Sequence, residues 1–222
     1  KQCGTCAKLC TFHAVSRKND RYVVDPMRCE GCGVCAHLCP AGAVDLAEEH
    51  CGDRYLSETR FGPMVHALLF PGQENSGKLV SLLKAEARAL ACERGLDTIL
   101  CDGSPGVGCP VIASLSGANL AVGVVEPTPS GRHDFLRAAD LCRHFRIPLA
   151  VIINKADLNI READAIAEEC EKRGDVLLGR LPFDPVVTQA MVARKALTEF
   201  DNPVGSRLRD MWSALQNLNM RR

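Results

Sequence analysis

The sequence predicts an α/β protein, a parallel sheet with helices on both faces, preceded by a small cysteine-rich module. Two observations carry that prediction. Seven of the 13 cysteines fall between Cys3 and Cys39. From Met64 onward, short apolar runs alternate with longer amphipathic ones, the rhythm of strand–helix–strand units. A chain of 222 residues suits one or two domains. Its 27 Lys plus Arg against 27 Asp plus Glu give no overall basic excess of the kind that phosphate-backbone binding requires, so no nucleic-acid partner is expected. No apolar run approaches the roughly 20 residues of a membrane span, and the opening KQCGTCAKLC lacks the apolar core of a signal peptide. A cytoplasmic location is therefore expected.

Residues 1–45 form the cysteine module. Its second run, Cys29-x2-Cys32-x2-Cys35-x3-Cys39-Pro40, has the spacing in which three close thiolates hold one 4Fe-4S cluster and the fourth reaches a second. The first run, Cys3-x2-Cys6-x3-Cys10, is the same pattern with its leading Cys falling one position before Lys1. Dense thiolates suit iron–sulfur clusters or zinc. Two zinc knuckles would leave several of these cysteines idle and give Pro40 no role. Cross-ligation predicts one cluster on Cys3, Cys6 and Cys39 with the upstream Cys, and a second on Cys29, Cys32, Cys35 and Cys10. Phe12, Ala14, Val15, Ala41, Ala43 and Val44 are expected beside the clusters, shielding them from water.

Residues 46–62 read as a polar connector, and 63–222 as the α/β body. The expected strands are Met64 to Phe70, Thr98 to Asp102, Leu120 to Glu126, Leu149 to Asn154 and Val176 to Leu181, apolar enough to be buried on both faces. The expected helices run from Ser76 to Arg94, His133 to Phe145, Ile160 to Arg173, Val186 to Lys195 and about Val204 to Met220.

In an open parallel sheet, the loops at the carboxyl ends of the strands build the binding crevice. The first expected strand closes in Pro71-Gly72-Gln73-Glu74-Asn75-Ser76-Gly77-Lys78-Leu79, which fits G-x4-G-K but carries Leu79 where a phosphate loop needs a hydroxyl for Mg²⁺. A helix start capped by Asn75 or Ser76 is the competing reading. The second closes in Asp102-Gly103-Ser104-Pro105-Gly106, an apolar strand ending in an acid that can order Mg²⁺, with Gly106 allowing close approach to a γ-phosphate. Later strands end in Glu126-Pro127-Thr128-Pro129-Ser130-Gly131, in Asn154-Lys155-Ala156-Asp157 and in Leu181-Pro182-Phe183-Asp184. The N-K-x-D arrangement is of the type that reads a purine.

Taken together, SGKLV at 76–80, DGSPGVGCPVIASLSG at 102–117, EPTPSGRHD at 126–134, INKADLN at 153–159, LPFD at 181–184 and the two cysteine runs resemble the MinD/ParA-type (Mrp-like) P-loop ATPases that carry an inserted two-cluster ferredoxin domain. The resemblance implies a SIMIBI-type fold and an ATP and Mg²⁺ site, with Asp102 as the Walker B acid and Gly106 near the γ-phosphate. It places Asn154 at the base and the Pro182 to Asp184 backbone along the adenine. Lys155 and Asp157 would select guanine in a GTPase, whereas the resemblance favours ATP. The family's lysine-bearing Walker A precedes the ferredoxin insert and lies outside these residues. The chain is therefore expected to be N-terminally truncated, and as it stands neither to hydrolyse ATP nor to hold both clusters normally.

The implied function is an iron–sulfur ATPase in which nucleotide closes a homodimer and couples to electron transfer or cluster handling for a redox or cluster-acceptor protein. A plain electron carrier on a nucleotide-inactive scaffold, and an ATP-dependent ligase or amidotransferase of the cobyrinate-synthase type, are the alternatives. Cys51, Cys92, Cys101, Cys109, Cys142 and Cys170 are expected as small buried hydrophobes, with Cys109 also placed for an interface thiol. Asp134 is expected in the first turn of its helix, beside His133. Leu208, Met211, Trp212, Leu215 and Leu218, flanked by Arg207, Arg209, Arg221 and Arg222, form a helical stripe expected to pack on its own domain, with a membrane surface as the alternative.

Overall fold

The doubled cysteine spacing becomes a doubled local fold. In the computed structural model, which describes residues 1–48, 50–73 and 75–219, α1 (Thr5–Leu9) and α2 (Val34–His37) each follow a glycine in the left-handed region, Gly4 at φ 79° and Gly33 at φ 75°. A Cβ at Gly4 would meet Tyr22 Oη at 2.5 Å, so this position takes only glycine. Between the two helices, β1 (Val15–Lys18) pairs antiparallel with β2 (Arg21–Val24). Their two-residue turn, Asn19 at φ 48° and Asp20 at φ 60°, has the double positive φ that matches hairpin twist.

A second hairpin follows, β3 (Gly52–Thr59) with β4 (Gly62–Leu69), in the register Tyr55↔His66 and Leu56↔Val65. Tyr55 stacks on His66 at 5.3 Å, and His66 Nε2 lies 2.9 Å from Ser57 Oγ. Two expectations are corrected here. The stretch expected as a connector contains β3, and the strand expected over 64–70 pairs antiparallel with it instead of joining a parallel sheet. The turn at Arg60-Phe61 brings the two runs together locally, and adjacent runs pair more readily than distant ones. The chain divides into two compact units, Lys1–Asn75 and from Ser76 onward.

In the second unit, α3 (Gly77–Arg94) is capped by Ser76, whose side chain accepts from Leu79 N–H at 3.2 Å, and ends at Gly95 with φ 64°. It packs on α4 (Cys109–Leu115), which is not among the expected helices. Lys84 Nζ donates to the carbonyls of Ala113 (3.0 Å), Ser114 and Ser116 (2.8 Å), and Arg88 donates to that of Gly117 (3.1 Å). Cations thus satisfy carbonyls at the C-terminal end of α4. Burial holds the Lys84 ammonium below its ordinary pKa.

The sheet is parallel and three-stranded, β5 (Ala121–Val125), β6 (Leu149–Ile153) and β7 (Val176–Arg180), in the order β5-β6-β7. α5 (Pro129–His144) and α6 (Ile160–Arg173) cover one face. There Phe135, Ala139, Ala163 and Ile166 pack against Val125, Leu149, Val151 and Ile153. On the other face, Met211 and Val204 of α8 (Pro203–Asn219) meet Leu181, Ile152 and Leu178. A short α7 (Val186–Val192) and a 3₁₀ turn (Leu197–Glu199) precede α8. α6 keeps its expected bounds because Asn159 accepts from Glu162 N–H at 3.1 Å and Gly174, at φ 74°, ends it.

Other bounds move. α5 starts at Pro129, four residues early, because Thr128 accepts from Gly131 N–H at 2.9 Å and Pro129 occupies the first turn. Asp134 therefore lies beyond the first turn, 3.9 Å from Arg137. α7 stops at Val192 rather than Lys195, with Arg194 at φ 54°. Only β6 is buried along nearly its whole length. β5 is an edge strand whose Val122 and Val124 stay exposed. No strand forms over Thr98 to Asp102, where Leu100 is 83% exposed, because no neighbour offers the hydrogen bonds a parallel strand needs. Among the described residues, no helix is long and apolar enough to cross a membrane.

Candidate functional site

The two halves of the cysteine module superpose in sequence at an offset of 29 residues, so that Cys3, Cys6 and Cys10 match Cys32, Cys35 and Cys39. The backbone repeats the match. Ala14 N–H donates to Cys10 Sγ and Ala43 N–H to Cys39 Sγ, both at 3.3 Å. His13 (φ 52°) and Gly42 (φ 54°), three residues after each of these cysteines, share the left-handed turn that aims those N–H groups. All 13 cysteines are free thiols.

A cavity of about 300 Å³ is lined by Cys3, Cys6, Cys35 and Cys39, with Val15, Tyr22, Ala41, Ala43 and Val44 around them. It brings together the three cysteines expected for the first cluster and also Cys35, expected for the second. Of the second set, Cys29 and Cys32 are exposed, and Cys10 and Cys35 are half-buried. Ala14 is buried, whereas Phe12 is largely exposed and covers less of the site than expected. Two of the thiols are already biased toward the ligand form. The Thr5 hydroxyl and then its backbone N–H lower the Cys3 pKa, and the Ala43 and Ala41 N–H groups lower that of Cys39. The thiolate is the species that binds metal. Among the described residues, no three His, Cys, Asp or Glu side chains converge on one point as they would for a single ion. Four soft thiol donors, with Val15, Ala41, Ala43 and Val44 among the side chains that line the same cavity, fit an iron–sulfur cluster held by thiolates.

The other candidate residues lie at the carboxyl end of the sheet. Lys155, at φ 54°, places Nζ 2.5 Å from Glu126 Oε1, joining the loops after β6 and β5. Asp157 Oδ1 accepts from Phe183 N–H at 2.6 Å, and Ala156 N–H donates to Leu181 O at 2.8 Å, joining the loops after β6 and β7. Asn154 is half-buried between them, its Oδ1 accepting from Lys155 N–H at 3.1 Å. Asp184 Oδ1 accepts from Val186 N–H at 2.9 Å and so starts α7. Asn154, Asp157, Pro182 and Asp184 are therefore gathered by the two adjacent loops after β6 and β7. Asp102 and Gly106 (φ 88°) lie on an irregular, exposed segment and not at the end of a strand of this sheet.

The G-x4-G-K segment is a helix start: Ser76 caps α3, and a Cβ at Gly77 would meet Cys109 O at 2.9 Å, so its glycine serves the approach of α4. Glu74, within that segment, lies outside the described residues, as do Met220, Arg221 and Arg222. Cys142 and Cys170 are buried as expected, and burial raises both thiols, Cys170 to about 11. Cys51, Cys92, Cys101 and Cys109 are exposed instead, the last two on and beside the segment that fails to pair. Sequence reading missed Thr5 and the Glu126–Lys155 pair. The C-G-T-C spacing at 3–6 puts a hydroxyl two residues from the Cys3 sulfur and was a usable signal. No local signal links positions 126 and 155.

A family model described as a 4Fe-4S dicluster domain matches residues 1–43. The N-terminus thus carries a 4Fe-4S dicluster domain. The chain is also 34% identical over 158 residues to an uncharacterized protein of Methanocaldococcus jannaschii, an alignment that covers 71% of this chain and 54% of that protein. The chain spans about half the length of that relative.

Proposed function

We propose that this chain belongs to an iron–sulfur ATPase of the MinD/ParA type, in which nucleotide binding governs electron transfer or cluster handling for a partner protein. The observation that carries the reading is the gathering of Asn154, Asp157 and the Pro182 to Asp184 backbone at the carboxyl end of a parallel sheet. That is where ligands enter open α/β sheets. In this reading Asn154 faces the purine and the 182–184 backbone lies along it. Asp102 orders Mg²⁺ once the Thr98 to Asp102 segment gains a strand neighbour bearing a phosphate-loop lysine, which residues 1–222 do not supply. Uncovered Val122 and Val124 on β5 support a sheet that continues on that side.

At the other end of the chain, Cys3, Cys6 and Cys39 hold one cluster with a ligand from outside these residues, and Cys10, Cys29, Cys32 and Cys35 hold the second. The clusters supply one-electron chemistry. The protein holds the thiolates, donates N–H groups to Cys10 and Cys39, and excludes water from the first site with Val15, Tyr22 and Val44. ATP in place of GTP is favoured because both N-K-x-D charges are engaged internally, Lys155 by Glu126 and Asp157 by Phe183.

The test is anaerobic ATP binding and hydrolysis by the full-length protein, with midpoint potentials taken with and without nucleotide. Binding that Asn154→Ala weakens about tenfold, with iron content unchanged, is the expected result. Clusters at full occupancy with no nucleotide binding would refute the ATPase reading. They would leave the electron carrier, which is favoured by a dicluster match over 1–43 and the lack of a hydroxyl after Lys78.

A further inference from the structure

The two cluster sites are built from matched halves, so a difference between them must come from positions where the halves differ in chemistry. One pair of backbone bonds to sulfur is matched. Ala14 N–H to Cys10 and Ala43 N–H to Cys39 have the same length, 3.3 Å, and under cross-ligation one falls to each cluster. Position 5 does differ. Thr5 Oγ1 lies 3.3 Å from Cys3 Sγ, whereas its counterpart at the 29-residue offset is Val34, which has no donor.

We propose that the Thr5 hydroxyl is a tuning residue, setting the cluster on Cys3, Cys6 and Cys39 at a higher reduction potential than its neighbour on Cys10, Cys29, Cys32 and Cys35. The inference rests on the ligand assignment above. With Cys3 bound as a thiolate, the sulfur can only accept and the hydroxyl must donate. Addition of one electron makes the core and its sulfurs more negative, with no bond formed or broken. An O–H donor therefore stabilises the reduced form more than the oxidised one, and hydrogen bonds to ligand sulfurs are among the factors that set cluster potentials. The consequence is direction: an electron arriving at the cluster without the hydroxyl moves downhill to the one beneath Thr5.

The experiment is a redox titration of the full-length protein, followed by electron paramagnetic resonance, with dithionite as reductant and iron counted in each sample. Two one-electron couples are expected. Thr5→Val should lower the higher one by a factor of about ten in the oxidised-to-reduced ratio, about 59 mV for one electron, and leave the other in place. Thr5→Ser should restore it, and Val34→Thr should raise the lower couple. Two couples that Thr5→Val leaves in place, or moves together, overturn the inference while the ligand assignment stands. Failure of the full-length protein to bind about 8 Fe would instead remove the assignment itself. If Thr5→Val does not load, Val34→Thr decides: an unmoved lower couple refutes the tuning role.

Discussion

Asp157 is the residue at which two functional readings separate, and replacing it gives an outcome calculable from the structure. Its Oδ1 accepts from Phe183 N–H at 2.6 Å, a charge-assisted bond spanning 26 residues of sequence. Such bonds contribute about 1.5 kcal/mol net, taking the low end because Asp157 is exposed. The neighbouring ladder, Leu181 N–H to Ile153 O and Ala156 N–H to Leu181 O, both 2.8 Å, does not depend on this side chain. Asp157→Ala should therefore loosen the 182–184 loop and little else. Amide exchange at Phe183 should quicken about tenfold, with Leu181 unaffected. Asp157→Asn keeps an acceptor oxygen and should fall between the two. The assay is hydrogen–deuterium exchange resolved to single amides, followed by a nucleotide titration. Unchanged exchange at Phe183 would refute the idea that Asp157 braces the loop. Exchange rising evenly across β5, β6 and β7 would show instead that the aspartate supports the whole sheet.

Three further outcomes follow from the packing and the thiols. Ile166, fully buried between α6 and the sheet, should cost about 3 kcal/mol as Ile166→Ala in urea unfolding; a loss under 1 kcal/mol would mean the core closes over the gap. Cys170 has its folded pKa raised from 9.0 to about 11, so the folded state holds its proton longer than the unfolded one. The associated stability is present below pH 9 and lost as pH rises through 11. Cys170→Ala should flatten thermal stability between those limits, and an unaltered slope would assign it to other groups. In the full-length protein, Cys39→Ser and Cys10→Ser should each halve the iron, from about 8 to about 4 Fe, but leave clusters with different spectra; identical residual spectra would contradict cross-ligation.

The part of the fold legible in sequence is the part stabilised by local chemistry. α6 kept its bounds because Asn159, Glu162 and Gly174 act within one or two turns of the helix they delimit. β5, β6 and β7 were legible because apolar runs of five residues flanked by helices have few alternatives. The Thr98 to Asp102 run has an apolar centre, Ile99-Leu100-Cys101, as those strands do, and forms none. Strand character there depends on a neighbour, and hydrophobicity does not encode a neighbour. The 64–70 run shows the converse: it became a strand, but the adjacent Gly52–Thr59 segment, too polar to read as one, was near enough to capture it. Pairing partner and strand propensity are separate facts, and only the second is written in a local window.

The site divides along the same line. The dicluster module was legible because cysteine spacing is a local code, and the matched bonds of Ala14 and Ala43 to sulfur repeat its doubled pattern. The purine-type residues were legible as residue types but not as states, since N-K-x-D gives no sign that Lys155 is held by Glu126 or that Asp157 is spent on Phe183. Those commitments run over 26 and 29 residues and exist only once three strand ends meet. Motif chemistry is accordingly strongest where the motif's own atoms would be the ligands, as with the thiols of Cys29, Cys32 and Cys35. It is weakest where the fold can consume a motif's donors and acceptors before a ligand arrives. The 2.6 Å bond from Phe183 N–H makes Asp157 a brace of the 182–184 loop.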